Sequence, residues 1–234
     1  MRKSTLIVVS TLLPLLGQAA GMGLTVPIAI TETERISYSN VNLQNTTYEY
    51  KPSVGLGFVF DTNIGKNKIF NYRLNLEYSL AEIDSSSRPY SNSFSKHKYN
   101  IVNTFGFGVV TERYVRFWVG PRLNIQYEHA SGSSSIQTQN SYGVGLAAAA
   151  GLNVILGQKV SLAFDVDYHG ALMFGGEDYK VYDGVTTGDT TYYTAYAGTN
   201  KGLTARLYLL FIFGEQYEER TYNYTDQSVI DHSL

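Results

Sequence analysis

The 234-residue sequence contains no cysteine, which excludes disulfides, thiolate chemistry and a lipid-modified N-terminal cysteine. Only four histidines are present, so few side chains are suited to general base catalysis near neutral pH. Lysine and arginine number 18 against 20 acidic residues. Without a basic excess, nucleic acid is not an expected partner. No uninterrupted apolar stretch reaches the roughly 20 residues that a membrane-spanning helix needs.

The N-terminus has the order of features expected of a secretory signal peptide. Arg2 and Lys3 precede an apolar run over residues 5–16, and small residues follow at 17–21. This arrangement predicts an exported chain with a cleaved signal peptide over residues 1–19, and cleavage as late as residue 21 is the second candidate. Removal of the two basic residues leaves 16 basic against 20 acidic side chains.

Aromatic residues and glycine are abundant, with 20 tyrosines, 11 phenylalanines and 22 glycines. Such a composition favours strands and tight turns. The clearest strand signal runs from Val115 to Glu128, where apolar and polar residues alternate throughout. Successive strand side chains point to opposite faces, so one face is apolar and the other carries charge. Fourteen residues is long for a strand of a soluble sheet and suits a tilted strand that crosses a bilayer.

Eight segments of the chain alternate in this way. They lie at 24–31, 54–61, 70–80, 101–109, 115–128, 142–154, 160–169 and 202–213. The connections between these segments alternate in length. The short ones are 62–69, 111–114 and 155–159, and the long polar ones are 32–51, 81–98, 129–141 and 175–201. Short turns at one end and long loops at the other are typical of outer-membrane barrels, with the turns in the periplasm.

Aromatic side chains cluster at both ends of the predicted strands, as in the two interfacial girdles of membrane barrels. The predicted girdle residues are Tyr78, Tyr99, Tyr127, Tyr142 and Tyr168 next to the long loops, and Phe60, Phe70, Tyr72, Tyr114 and Phe213 near the short turns.

Taken together, the signal peptide, the eight segments, the stretch 119–123 and the aromatic end of the last segment resemble the small outer-membrane barrels of the OmpA/OmpX and opacity-protein superfamily. The resemblance implies an all-β fold, an eight-stranded antiparallel up-and-down transmembrane β-barrel over residues 23–213, in the outer membrane of a Gram-negative bacterium. Such barrels often end the chain with an aromatic residue. Here Phe213 is followed by residues 214–234, which we expect to form a polar periplasmic tail.

The inward face of the predicted barrel carries four charges of each sign. They are Arg73, Glu77, Arg116, Arg122, Glu128, Asp165, Asp167 and Arg206. Because side chains largely fill so small a barrel, these charges must pair. Counting from the turns predicts a network of Glu77, Arg122, Asp165 and Arg206. A balanced set favours a structural plug over a gate, since a ring of one sign would indicate ion selectivity.

A hydrolase is the enzymatic alternative. His129 and Ser131 resemble the His-x-Ser motif of lipid A deacylase barrels, yet no acidic residue occurs between Ala130 and Phe164, and Glu128 points to the opposite face. A serine nucleophile needs a base and an orienting acid. We therefore expect no enzymatic activity.

Metal binding is not expected either. Asp165, Asp167 and His169 share a face but are spread along one strand. The acidic residues of the last long loop match no calcium-loop spacing. No cofactor or metal ligand set is predicted.

The predicted function is an envelope structural or surface-interaction component. Its expected partners are outer-membrane lipid and a host, phage or cell-surface ligand that contacts the four long loops, and we expect a monomer. A narrow pore or conduit for small or hydrophobic solutes is the alternative, and a lipid A hydrolase is a third. A soluble lipocalin-type barrel is the competing fold, and it would turn its apolar face inward.

Overall fold

The computed structural model describes residues 21–38, 46–62, 69–85, 93–112, 114–131, 136–157, 159–181 and 190–213. The predicted signal peptide and the predicted tail therefore lie outside the described residues. The described ranges contain the strands β1 (Gly21–Tyr38), β2 (Thr46–Tyr50), β3 (Ser53–Asp61), β4 (Phe70–Ser85), β5 (Ser93–Thr111), β6 (Val115–Ser131), β7 (Ile136–Ile155), β8 (Val160–Val181) and β9 (Thr190–Ile212). In these ranges no helix is long and apolar enough to cross a membrane.

All pairings are antiparallel, and from β3 to β9 each strand pairs with the next in chain order, while β1 pairs with β9 to close the sheet. Strands β2 and β3 form one wall position of the barrel, because each pairs with β1 on one side and β4 on the other. Lys51 and Pro52 separate them, and proline has no N–H to donate to the ladder. The result is a ring of eight strands, which confirms the predicted fold class.

The predicted loop boundaries are wrong. Strand β1 continues to Tyr38, β4 to Ser85 and β8 to Val181, so much of the ranges 32–51, 81–98, 129–141 and 175–201 is strand. The segments that join these strands, 39–45, 86–92, 132–135 and 182–189, lie outside the described residues. The alternation signal depends on one apolar and one polar face. It disappears where the outward face of a strand becomes polar, as at Arg35 and Ser37, which are exposed.

The apolar face of each strand points outward. Leu56, Leu146 and Phe211 are among the exposed large hydrophobic residues, whereas the interior is rich in buried polar and charged side chains. This is the reverse of a lipocalin-type barrel, in which apolar side chains line the interior. Strand β1 contains a register shift between Ala29 and Thr31.

The register shift decides which residues of the upper half of β1 face the lumen. Below it the odd-numbered residues are buried, and above it Glu32, Glu34 and Ile36 are buried. A β-bulge inserts one extra residue and so exchanges the two faces of a strand. It thereby brings two carboxylates into the barrel.

Candidate functional site

The lumen contains a central layer of ion pairs. Arg206 donates from Nε to Glu77 Oε1 over 2.6 Å, and Arg122 donates from Nη2 to Asp165 Oδ2 over 2.8 Å. Asp167 accepts from Nη1 of both arginines, which joins the two pairs. The structure thus brings together the four residues for which a network was predicted and adds Asp167 as the bridging carboxylate.

Small residues on β7 give the arginines room to reach their partners. Strand β7 lies between β6 and β8, and its inward positions include Ala147 opposite Arg122 and Gly151 opposite Asp165. A Cβ atom at Gly151 would lie 2.8 Å from the Asp165 Cβ and 2.4 Å from the Trp118 ring. The side chains of β6 and β8 can therefore meet across β7 without obstruction.

Arg73 lies at the next level toward the short connections. Its guanidinium is 2.8 Å from Asp61 Oδ2 and 3.4 Å from Asp165 Oδ2, and it stacks over the Tyr208 ring at 4.5 Å. Tyr208 in turn donates its hydroxyl to Asp165 over 2.5 Å. Carboxylates and aromatic faces thus compensate the charge of this fully buried arginine.

An upper layer of charges lies toward the long-connection end. Lys96 donates to Glu34 over 2.8 Å and to Glu128 over 2.9 Å, while Lys98 pairs with Glu32 and with Glu128. Tyr50 donates its hydroxyl to Glu34 over 2.6 Å. One carboxylate, Glu128, therefore links the two lysines.

This upper layer begins at the level of the tyrosine girdle, because Lys98 is adjacent to Tyr99 and Glu128 to Tyr127. The buried Glu128 carboxylate lies between the ammonium groups of Lys96 and Lys98, which compensate its charge. Lys96 lies farther along β5, beyond Tyr99. Burial would lower the pKa of its ammonium group, yet Glu128 and Glu34 raise it.

Apolar side chains close the end of the lumen near the short connections. The buried cluster there consists of Val59, Ile155, Ala163, Tyr208, Leu210 and Ile212. Between the upper and central charged layers lies a cavity of about 40 Å³, lined among others by Glu32, Lys98, Glu77, Arg206 and His169. Such a volume holds a few water molecules.

All eight residues of the predicted lumen network are buried, but they do not form one cluster. Glu128 belongs to the upper layer, and Arg116 lies near the short connections, where it donates to the Ile69 carbonyl over 3.0 Å. The count from the turns likewise leaves Glu128 and Arg116 out of the predicted network, since they lie nearer the two ends of β6 than Arg122 does.

Sequence reasoning missed the basic half of the upper layer and two of its acids. The sequence pattern places Glu32, Glu34, Lys96 and Lys98 in loops, whereas the structure places them on β1 and β5. Their spacing of two residues, 32/34 and 96/98, is the signal that could have indicated a shared strand face.

The predicted girdle residues all lie on the outward face, partly or fully exposed. Four of them form a continuous row across β4, β5, β6 and β7. Ring centres in this row are 5.3 Å apart for Tyr78–Tyr99, 6.0 Å for Tyr99–Tyr127 and 4.9 Å for Tyr127–Tyr142. Tyr72 donates its hydroxyl to Asn103 over 2.6 Å, which satisfies the polar residue that interrupts the apolar face of β5.

No protein-family model matches the chain, and no curated protein sequence matches it. Among solved structures, the outer membrane protein OprG from Pseudomonas aeruginosa aligns with a TM-score of 0.59 at 11% identity, over 84% of this chain and 98% of that chain. The chain has the fold of an outer-membrane β-barrel protein. Neisserial surface protein A aligns with a TM-score of 0.32 at 15% identity, over 80% of this chain and 98% of that one. The outer membrane protease OmpT from Escherichia coli gives 0.36 at 7% identity, over 82% and 97%.

Proposed function

We propose that this chain is an integral outer-membrane protein whose filled barrel anchors a surface-exposed rim. An apolar outward face around the ring and the fold shared with OprG support the membrane location. The two described ends of the chain, Gly21 and Phe213, lie at the end of the short connections. In barrels of this kind that end is periplasmic, so the opposite rim is directed out of the cell.

The filling of the lumen by side chains is the observation that supports a structural role. Two layers of ion-paired side chains and an apolar floor follow one another along the axis, and the cavity between the charged layers is small. Bulk water would need a continuous path through these layers. The ion pairs satisfy the buried charges and occupy the space that a channel would need.

The outer rim is where we expect contacts with other molecules. Beyond the apolar belt the strands continue with polar outward residues such as Thr33, Arg35 and Ser37. The four connections at this end, 39–45, 86–92, 132–135 and 182–189, are short compared with the predicted loops. A host, phage or cell-surface ligand would therefore contact the strand extensions as well as these connections, and the barrel would act as a monomer.

Single-channel recording tests the proposal. The folded protein, identified by heat-modifiable migration on a denaturing gel, is inserted into planar bilayers of stated lipid composition. We expect no persistent conductance steps. Stable conductance of the wild-type protein would contradict the structural role.

A narrow pore is the second candidate, and the polar cavity between the two charged layers favours it. Opening would require the pair Arg206–Glu77 to separate. The variants Arg206→Ala and Glu77→Ala each remove one partner from this pair. If the lumen conducts, these changes alter the size of the conductance steps, whereas the outward variant Arg35→Ala leaves the steps unchanged.

We further propose that the barrel is not a hydrolase. His129 Nδ1 lies 2.8 Å from Asn140 Oδ1, so an amide and not a carboxylate is the partner of this nitrogen. Glu128 points into the lumen, away from His129. Incubation of the purified barrel with outer-membrane lipid is expected to release no acyl chains.

A further inference from the structure

Two histidines face each other on the outside of the barrel. His97 on β5 and His129 on β6 are directly opposite in register, with ring centres 6.4 Å apart and ring planes inclined by 28°. On the outward face of β5, His97 is the next residue after Tyr99 toward the long-connection end of the barrel. His129 has the same place relative to Tyr127 on β6. Both imidazoles are half-buried, so water and small ions reach them from outside the apolar belt.

The hydrogen bonds of the two rings turn their Nδ1 atoms away from each other. His97 Nδ1 lies 2.9 Å from the Tyr78 hydroxyl on β4, and His129 Nδ1 lies 2.8 Å from Asn140 Oδ1 on β7. Strands β4 and β7 flank the β5–β6 pair on opposite sides. Nε2 lies across the ring centre from the Cγ–Nδ1 bond, so we infer that each Nε2 is on the half of its ring turned away from the hydrogen-bond partner and toward the other histidine.

The partners of the rings also determine where the protons lie. Asn140 Oδ1 accepts the Tyr127 hydroxyl over 2.9 Å, which identifies this atom as an acceptor for His129 Nδ1–H as well. His129 Nε2 is then unprotonated in the neutral ring. The Tyr78 hydroxyl can accept from His97 Nδ1–H in the same way. Histidines that bind metals almost always donate their other N–H to such a second group.

We propose that His97 and His129 form a two-imidazole site for a divalent transition-metal ion of the Zn²⁺, Cu²⁺ or Ni²⁺ class. Imidazole suits these ions. Two imidazoles that share one ion at a metal–nitrogen distance of about 2.1 Å have ring centres about 5 to 6.5 Å apart. The observed 6.4 Å lies in this range. Among the described residues no group of three or more His, Cys, Asp or Glu side chains could hold a metal ion together. Water molecules would therefore occupy the coordination positions that the two imidazoles leave open.

Titration calorimetry with each metal ion alone tests the site on the full mature chain, folded in detergent and without a histidine tag. The wild-type protein is expected to bind one ion per barrel. His97→Gln and His129→Gln should each remove this binding, because one imidazole forms no chelate. Asn140→Ala keeps both imidazoles and should weaken binding about tenfold, as loss of such a second group typically does.

The matched control is His232→Gln, which removes a histidine of the C-terminal segment and should bind as tightly as the wild type. Heat-modifiable migration establishes that each variant is folded. Binding by either His97→Gln or His129→Gln at wild-type strength overturns the proposal. So does its loss in His232→Gln, or the absence of one-to-one binding in the wild type.

Discussion

Arg122 on β6 and Asp165 on β8 form a bidentate ion pair across an intervening strand. Nη1 donates to Oδ1 over 3.2 Å and Nη2 to Oδ2 over 2.8 Å. Both side chains are fully buried. Two parallel N–H···O bonds fix the orientation of each group, which a single contact would not do. The pair thereby links two strands that share no backbone hydrogen bonds.

Removal of one partner of this pair should destabilise the barrel strongly. Arg122→Met or Asp165→Asn leaves a buried charge with fewer partners, and we expect a loss of about 3–5 kcal/mol in the free energy of unfolding. Urea unfolding in lipid vesicles, followed by tryptophan fluorescence, measures it. The double variant should lose less than the sum of the single losses. The exposed control Arg35→Met should change the free energy of unfolding by no more than about 0.5 kcal/mol. An equal loss in the control and in the variants of the pair would contradict the stabilising role of the pair.

Gly151 should not tolerate a side chain. Its added Cβ would lie 2.4 Å from the Trp118 ring, and overpacking of this kind costs about 1–3 kcal/mol. We expect Gly151→Ala to lower the unfolding midpoint in urea. Gly170 lies on the outward face of the neighbouring strand with open space around its Cβ position, so Gly170→Ala serves as the matched control and should fold with nearly wild-type stability.

The fluorescence of Trp118 should show which face of β6 points into the lumen. Its indole faces the lumen, is fully buried and donates to Asn153 over 3.3 Å. Lipids brominated on their acyl chains are therefore expected to quench its fluorescence weakly. The double variant Phe117→Trp, Trp118→Phe moves the indole to the outward face, where quenching should be much stronger. Stronger quenching of the wild type would mean that the strand faces are reversed.

Leu146 should lie within the hydrocarbon layer. It is 69% exposed in the middle of the outward face of β7, so Leu146→Arg is expected to cost about 2–4 kcal/mol of stability in vesicles, as arginine does near the midplane. Thr33→Arg places the same side chain beyond the belt and should cost little. In detergent-free buffer the folded protein should precipitate; full solubility there would exclude the membrane location.

The barrel class followed directly from the sequence. Apolar residues that alternate over Val115–Glu128 and seven other segments indicate strands with one lipid-compatible face, and the even count returns both ends of the barrel to the same side of the membrane. Strand ends were harder to predict. Where both faces are polar, as at Glu32–Arg35, the pattern that separates strand from loop no longer exists.

The charged residues on the inward face were also predictable one strand at a time. Arg122, Asp165 and Arg206 each fall on the polar, inward face of the alternation in their own strand. This alternation has a period of two residues and can be recognised from each strand alone. Their membership of one layer depends on the tilt of every strand between them. Glu128 has the same phase but comes six residues after Arg122 on β6, so it belongs to a different layer.

The sequence by itself determined the alternation, the eight positions of the ring and the side of each strand that faces lipid, because these properties depend on neighbouring residues in the chain. Only the tertiary structure revealed that Asp167 bridges the two central ion pairs and that a second charged layer forms around Glu128. Strand tilt accumulates around the ring, the bulge of β1 exchanges its two faces between Ala29 and Thr31, and the small side chains of β7 let Arg122 reach Asp165. Contacts across the lumen thus depend on the closed barrel as a whole.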